Sequence, residues 1–263
     1  APDCPITGEA LPLIIISHGY GGWFLGHHDT AEALADTGFV VVAINHPHAN
    51  YADMSRANGL PPLVERPRDI KRAIDFMLSG FAEASKIDPQ RVGFYGFSQG
   101  GYTGLVIAGG NPDFGKLPRR CPDPEAAGCQ HSNKTNPSGE TRVIPVLTHD
   151  ARVKAMVVSD PLSVVFQTKD SVKDIDIPIQ LWGSERGSAT GALKDASILR
   201  AVLPDKPDFH IAPNAVHMSF LTMCPQANMS SEVCRDSPGF DRASFHKMFN
   251  AEVVAFFRKH LAP

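Results

Sequence analysis

Residues 91–104 read RVGFYGFSQGGYTG, and the rest of the chain is organised around this stretch. An apolar, β-leaning run from Val92 enters Gly96-Phe97-Ser98-Gln99-Gly100, and small, helix-compatible residues follow. The order is strand, sharp turn, helix. In a G-x-S-x-G bend of this kind the serine is expected in a strained backbone conformation, and a flanking side chain larger than hydrogen would collide with the neighbouring strand and helix. Such a bend lifts the Ser98 hydroxyl clear of the sheet. It also leaves the Gln99 amide at a helix N-terminus, where a developing oxyanion can be bound.

Upstream, Leu13 to Ser17 predicts a buried strand that runs into His18-Gly19-Tyr20-Gly21-Gly22. Glycines there let backbone amides approach a ligand closely. Together with the Ser98 bend, this loop predicts that the Tyr20 and Gln99 N–H groups form the two halves of one oxyanion hole. Asp29 and Glu32 read as the N-cap and capping-box partner of a helix that stops at Gly38. Phe39 to Ile44 is an uninterrupted apolar run, expected as a strand covered on both faces. His27, His28, His46 and His48 gather near its end without the H-E-x-x-H or carboxylate pattern of a metal site, so hydrogen-bonded or surface histidines are expected. Pro67 is expected in the first turn of a helix whose core face carries Ile70, Ile74, Met77 and Leu78.

Downstream, Val153 to Ser159 predicts a strand that ends at Asp160-Pro161, and Ile177 to Trp182 another that ends in Gly183-Ser184-Glu185-Arg186. A short final strand, Asp208 to Ile211, leads into Pro213-Asn214-Ala215-Val216-His217. The last helix opens at Asp241 and is expected to bury Phe245, Met248, Phe249, Val253, Phe256 and Phe257. Strands alternating with helices imply a mostly parallel sheet with helices on both faces, in one α/β domain over residues 1–263, with the site at the strands' C-terminal ends.

A serine hydroxyl becomes an effective nucleophile when a base takes its proton, and a third group must orient that base. His217 suits the base, because it follows the last strand in a turn-rich loop. Asp160 and Glu185 both end strands in the interval where the orienting acid belongs, and spacing alone does not choose between them. Gly21, Trp23, Phe24 and Phe220 stand beside these residues in sequence and are candidates for an apolar substrate pocket.

Composition narrows the partners. With 28 acidic against 25 basic residues and no basic run, a nucleic acid is not an expected partner. No apolar segment is long enough for stable membrane insertion. Of five cysteines, Cys121 with Cys129 and Cys224 with Cys234 read as two local disulfides, leaving Cys4 over. Such pairs suit an oxidising compartment, so the protein is expected to be secreted or periplasmic, any export signal already removed. Residues 111–142 are rich in proline and glycine and hold the first cysteine pair, as expected of a disulfide-pinned insertion that caps the site after the serine helix.

The segments SHGYGG at 17–22, TGFVVVAINHP at 37–47, GFSQGG at 96–101, SDPL at 159–162, VHMSFL at 216–221 and CRDSPGFDRASFHKMFNAEVVAFF at 234–257 give the chain a family resemblance. It resembles the bacterial predicted-dienelactone-hydrolase group of α/β-hydrolases, which is related to the plasma-type platelet-activating-factor acetylhydrolases. The resemblance implies the α/β-hydrolase fold and a serine esterase. It places the triad acid at Asp160, with Glu185 as the alternative, and requires neither metal nor organic cofactor. The twelve residues ahead of the first strand are too few for the antiparallel strand pair with which this fold ordinarily begins, and within 111–142 nothing aligns.

Together these readings predict a serine hydrolase acting on a small-molecule or lipid-like carboxylic ester through an acyl-enzyme. Ser98 attacks, His217 carries the proton and Asp160 holds the imidazolium. Amide hydrolysis, lactone opening or acyl transfer would use the same three residues, because the acyl-enzyme does not dictate what attacks it. A non-catalytic binding protein on this fold would be expected to lack one of them.

Overall fold

The computed structural model describes residues 5–117, 146–187, 192–225 and 231–263. Cys4, the Cys121–Cys129 pair and most of the insertion expected at 111–142 lie outside the described residues.

Side-chain alternation along the strands sets the layers. Strand β1 (Leu11–Ser17) sends Leu13 and Ile15 into one core and Ile14 and Ile16 into another, and β3 (Ile87–Phe97) divides Val92 and Phe94 from Tyr95 and Phe97 in the same way. The first core is closed by helices α2 (Pro61–Asp75), α3 (Gln99–Ile107) and α4 (Ala192–Val202), through residues such as Ile70, Leu105 and Leu199. Leu34 of α1 (His28–Ala35) and Phe249, Val253 and Phe257 of α5 (Arg242–His260) close the second. With β2 (Val40–Ile44), β4 (Val153–Ser159), β5 (Ile179–Ser184) and β6 (Asp208–Ala212), six parallel strands line up in the order β2-β1-β3-β4-β5-β6.

That order positions the site. Strands β2 and β3 flank β1 on opposite sides, so the winding reverses between β1 and β3, and ligands on open α/β sheets bind at such reversals. Register brings Ser17 beside Gly96, Phe97 beside Ser159 and Ser159 beside Trp182. The loops after β1, β3, β4 and β5 therefore leave the sheet side by side.

Four local expectations give way to tertiary contacts. The run at 39–44 forms an edge of the described sheet, and all five β2 residues are half-buried. Asp29 does not cap α1: it lies in the first turn, where its carboxylate accepts from His246 Nδ1 at 2.6 Å and Asn250 Nδ2 at 2.9 Å, tying α1 to α5. Pro67 lies inside α2, which instead begins with Pro61 and Pro62. Lacking an N–H, Pro67 cannot bond the carbonyl of Leu63, and the Tyr102 hydroxyl of α3 donates to that carbonyl at 3.2 Å. The break in one helix thus becomes an anchor for the next. Finally, Met248 is exposed, because α5 buries a narrower stripe than its composition suggests. Its start is as expected, the Asp241 carboxylate capping Ser244 N–H at 3.1 Å.

Candidate active site

Ser98 joins β3 to α3 at φ 54° and ψ −115°, a conformation that L-residues rarely adopt. The two glycines around it are sterically required. A Cβ on Gly96 would lie 2.4 Å from the Gly100 carbonyl oxygen, and one on Gly100 would lie 1.9 Å from that of Ser17. This packing keeps the bend tight and Ser98 half-exposed at the end of a buried strand.

Three side chains from distant parts of the chain converge there. His217 Nε2 is 3.0 Å from Ser98 Oγ, and His217 Nδ1 is 3.0 Å from Asp160 Oδ2. The His217 ring lies over Phe97 with centroids 4.6 Å apart, and its side chain is 15% exposed. Asp160 is buried, with φ 40°, directly after β4. Its Oδ1 accepts Ser184 N–H at 2.7 Å and its Oδ2 accepts the Ser184 hydroxyl as well as the imidazole. With the carboxylate accepting, Nδ1 carries the histidine proton and Nε2 presents its lone pair to the serine. Glu185 is turned away: exposed, it accepts the Asn214 N–H at 2.7 Å and braces the turn before His217. Ser184, the unforeseen member of this group, orients the acid from the last residue of β5.

The Tyr20 and Gln99 amides are aimed by what holds their own peptide carbonyls. In a trans peptide the C=O and N–H point in opposite directions. The Gly19 carbonyl accepts His18 Nδ1–H at 2.7 Å and Gly22 N–H at 3.2 Å, so the Tyr20 N–H faces the other way. The Ser98 carbonyl accepts Tyr102 N–H at 3.2 Å and Leu162 N–H at 2.9 Å, which turns the Gln99 N–H outward at the start of α3. Neither amide has a hydrogen-bond acceptor among the described residues.

Beneath this loop lies a buried polar chain that the sequence did not reveal. Arg66, from α2, donates to the His18 carbonyl, to Gln99 Oε1 at 2.8 Å and to Ser17 Oγ at 3.3 Å. Ser17 Oγ is 2.9 Å from His46 Nε2, and His46 Nδ1 is 3.1 Å from Asp69 Oδ2. Ser17, His46 and Asp69 thus reproduce the Ser98–His217–Asp160 spacing, but Ser17 and His46 are completely buried and no substrate can meet them. The backbone N–H of His46 donates to His18 Nε2 at 3.3 Å. Burial, reinforced by the Arg66 charge, lowers His18 to about 4 and puts His46 well below its ordinary value, so both rings are neutral near pH 7. Burial raises Asp69 to about 6 and lowers Arg66 to about 9, leaving each charged at that pH.

Around the serine the surface is open and aromatic. Trp23 and Phe24 are exposed beside the loop, their rings 5.8 Å apart, and Trp23 lies 6.3 Å from Tyr51. Gly21, at φ 62°, faces Met54. Phe220 does not line this surface: the turn that presents His217 directs it inward, fully buried against Phe97, Phe245 and Phe249. A cavity of about 310 Å³, lined by Leu11, Phe39, Arg91 and Leu261 among others, lies at the strands' N-terminal ends, away from Ser98.

The histidine loop is tethered from behind. Ser219 Oγ donates to Asp236 at 2.6 Å, and Asp236 takes a two-pronged ion pair from buried Arg242 with both distances 2.9 Å. Next to them Cys224 and Cys234 form the expected disulfide, ten residues apart. A loop this short loses roughly 3 kcal/mol of unfolded-state freedom on crosslinking. Replacing both cysteines by serine is therefore expected to lower Tm by roughly 5–10 °C, read by calorimetry. An unchanged Tm would show that the crosslink adds nothing to the tether.

Comparison with known proteins follows the same outline. The family model described as BD-FAE matches residues 4–127, just under half of the chain. NocK of Nocardia uniformis subsp. tsuyamanensis, whose esterase assignment is provisional, is 31% identical over 117 residues, which are 43% of this chain and 33% of that protein. The chain thus spans about a third of that relative's length. Among solved structures, a ferulic acid esterase from Streptomyces cinnamoneus superposes with a TM-score of 0.61 at 18% identity, covering 95% of this chain and 67% of the other. A dienelactone hydrolase from Anabaena variabilis ATCC 29413 gives a TM-score of 0.57 at 14% identity, covering 95% of this chain and 87% of the other. Strand order, the strained serine bend and these structural neighbours agree that the chain has the α/β-hydrolase fold.

Proposed function

We propose that this protein is a serine hydrolase that cleaves carboxylic esters through an acyl-enzyme. The observation that carries the reading is the Ser98–His217–Asp160 chain, with both contacts at 3.0 Å, set on a half-exposed strained bend. As Ser98 Oγ attacks the ester carbonyl carbon, its proton passes to His217 Nε2. The carbonyl electrons move onto oxygen, where the unpaired Tyr20 and Gln99 amides receive the charge. Asp160, held by Ser184, keeps the resulting imidazolium in place. Collapse of the tetrahedral adduct expels the alcohol, which takes the proton from His217. Water then repeats the sequence on the acyl-enzyme, giving the acid and free serine. The exposed Trp23 and Phe24 favour an apolar or aromatic acyl group over a charged one.

The names of the similar proteins support ester cleavage, and the finer kinship with dienelactone hydrolases and platelet-activating-factor acetylhydrolases belongs to this proposal. So does a secreted or periplasmic location, which the Cys224–Cys234 disulfide supports. The test is one panel: nitrophenyl esters of increasing chain length, methyl ferulate, a lactone, a short-chain phospholipid and a soluble polyester. Hydrolysis of at least one ester with an initial burst of one nitrophenol per chain is expected. Complete inactivity across the panel with folded protein would overturn the reading. Product that rises with added alcohol at constant burst would assign acyl transfer instead.

A further inference from the structure

A buried guanidinium with no carboxylate in contact needs a reason. Arg66 is 1% exposed, no carboxylate lies within ion-pair distance of it among the described residues, and its Nε has no hydrogen-bond partner there. A methionine or leucine would fill the same space without the cost of burying a charge.

The reason is visible in where its two arms end. One amino group donates to the carbonyl of His18, the residue that opens the loop carrying the Tyr20 amide, and the other donates to the side chain of Gln99, whose own backbone amide points outward. We propose that Arg66 is a positioning residue for the oxyanion hole, its planar fork tying the loop after β1 to the bend after β3 so that the Tyr20 and Gln99 amides keep a fixed separation. The proposal rests on the ester-hydrolase reading given above and adds a residue that touches neither substrate nor reacting atoms.

Hydrogen-bond direction makes the assembly self-consistent. Arg66 donates to Ser17 Oγ, Ser17 donates to His46 Nε2, and His46 donates through Nδ1 to Asp69. Each of these three links pairs one donor with one acceptor, and the Asp69 carboxylate balances the guanidinium from three groups away. The second Ser-His-Asp set is accordingly an orienting chain for Arg66. On the other side, the His46 N–H fixes His18 Nε2 as an acceptor, which leaves His18 Nδ1–H for the Gly19 carbonyl and so aims Tyr20 N–H. The loop is held by its carbonyls at two successive residues, one through Arg66 and one through its own imidazole.

A fork that bridges two acceptors is something lysine cannot imitate with a single ammonium. The test uses a trifluoromethyl ketone, which forms a tetrahedral oxyanion on the serine, beside a neutral amide of the same shape, which only occupies the ground-state site. In Arg66→Met, kcat and the affinity for the trifluoromethyl ketone are expected to fall together by roughly 100-fold, while KM and amide affinity change by less than about threefold. Arg66→Lys should recover no more than about a tenth of the lost activity. Gln99→Ala keeps the backbone amide and removes only the partner of one arm, so it carries the same test should Arg66→Met fail to fold. It is expected to weaken ketone binding by about tenfold with amide binding unchanged. Full activity in folded Arg66→Met, equal loss of both ligands in either variant, or full recovery by lysine would overturn the proposal. Failure of the wild-type protein to bind the ketone at Ser98 would instead count against the hydrolase reading itself.

Discussion

Replacing Ser98 by alanine should lower kcat by roughly 10⁵- to 10⁶-fold and leave KM within a few-fold of its starting value. The magnitude follows from removing the hydroxyl that His217 Nε2 meets at 3.0 Å, while the amides and the aromatic surface proposed to hold the ester remain. Structure should survive, because the bend is secured by the Gly96–Gly100 approach and by the Ser98 backbone, whose N–H donates to Ser159 at 3.0 Å. Alanine accepts the same φ of 54° with the same strain. Steady-state kinetics with a nitrophenyl ester, alongside far-ultraviolet circular dichroism, checks both halves. A folded alanine variant with comparable turnover would remove Ser98 from the chemistry.

The acid separates next. Asp160→Asn is expected to reduce kcat by about 10⁴-fold, whereas Glu185→Gln should change it by less than threefold. In the buried site the Asp160 carboxylate accepts from the Ser184 N–H, the Ser184 hydroxyl and His217 Nδ1–H together. An amide there brings its own two hydrogens against these donors, so His217 is driven to the tautomer whose Nε2 is protonated and cannot take the serine proton. Glu185 braces only the turn at Asn214, and glutamine can still accept that N–H through its carbonyl. Turnover measured on the two variants in parallel decides between them, and the opposite ranking would place the acid after β5.

Much of this was legible because the features concerned are local. A strand that ends in glycine, serine and glycine has one way to turn sharply, and the close approach of Gly100 to the Ser17 carbonyl shows why. Alternating strands and helices likewise announced the parallel sheet, and the order serine, acid, histidine along the chain pointed to Ser98 and His217, while Asp160 and Glu185 stayed open on spacing until the family resemblance favoured Asp160. What stayed hidden depends on partners far away in sequence. Asp29 has the composition of a helix cap, yet His246 and Asn250 outcompete the backbone for it. Pro67 looks like a helix start, yet Tyr102 compensates for the missing bond inside α2. Phe220 is a few residues from His217, but one turn of 3₁₀ helix directs it into the core. In the run ERPRD at 65–69, Arg66 stands three residues after Leu63 and four before Ile70, on the buried stripe of α2, while Arg68 faces solvent; reading Pro67 as the helix start left Arg66 off that stripe.

The central claim is that the Ser98 hydroxyl, activated by His217, is the reacting group, and a fluorophosphonate read by mass spectrometry tests it most directly. One adduct per chain is predicted, located on the peptide that contains Ser98, absent in Ser98→Ala and formed far more slowly in His217→Ala. No adduct on folded wild-type protein, or an adduct on another residue that persists in Ser98→Ala, would contradict it.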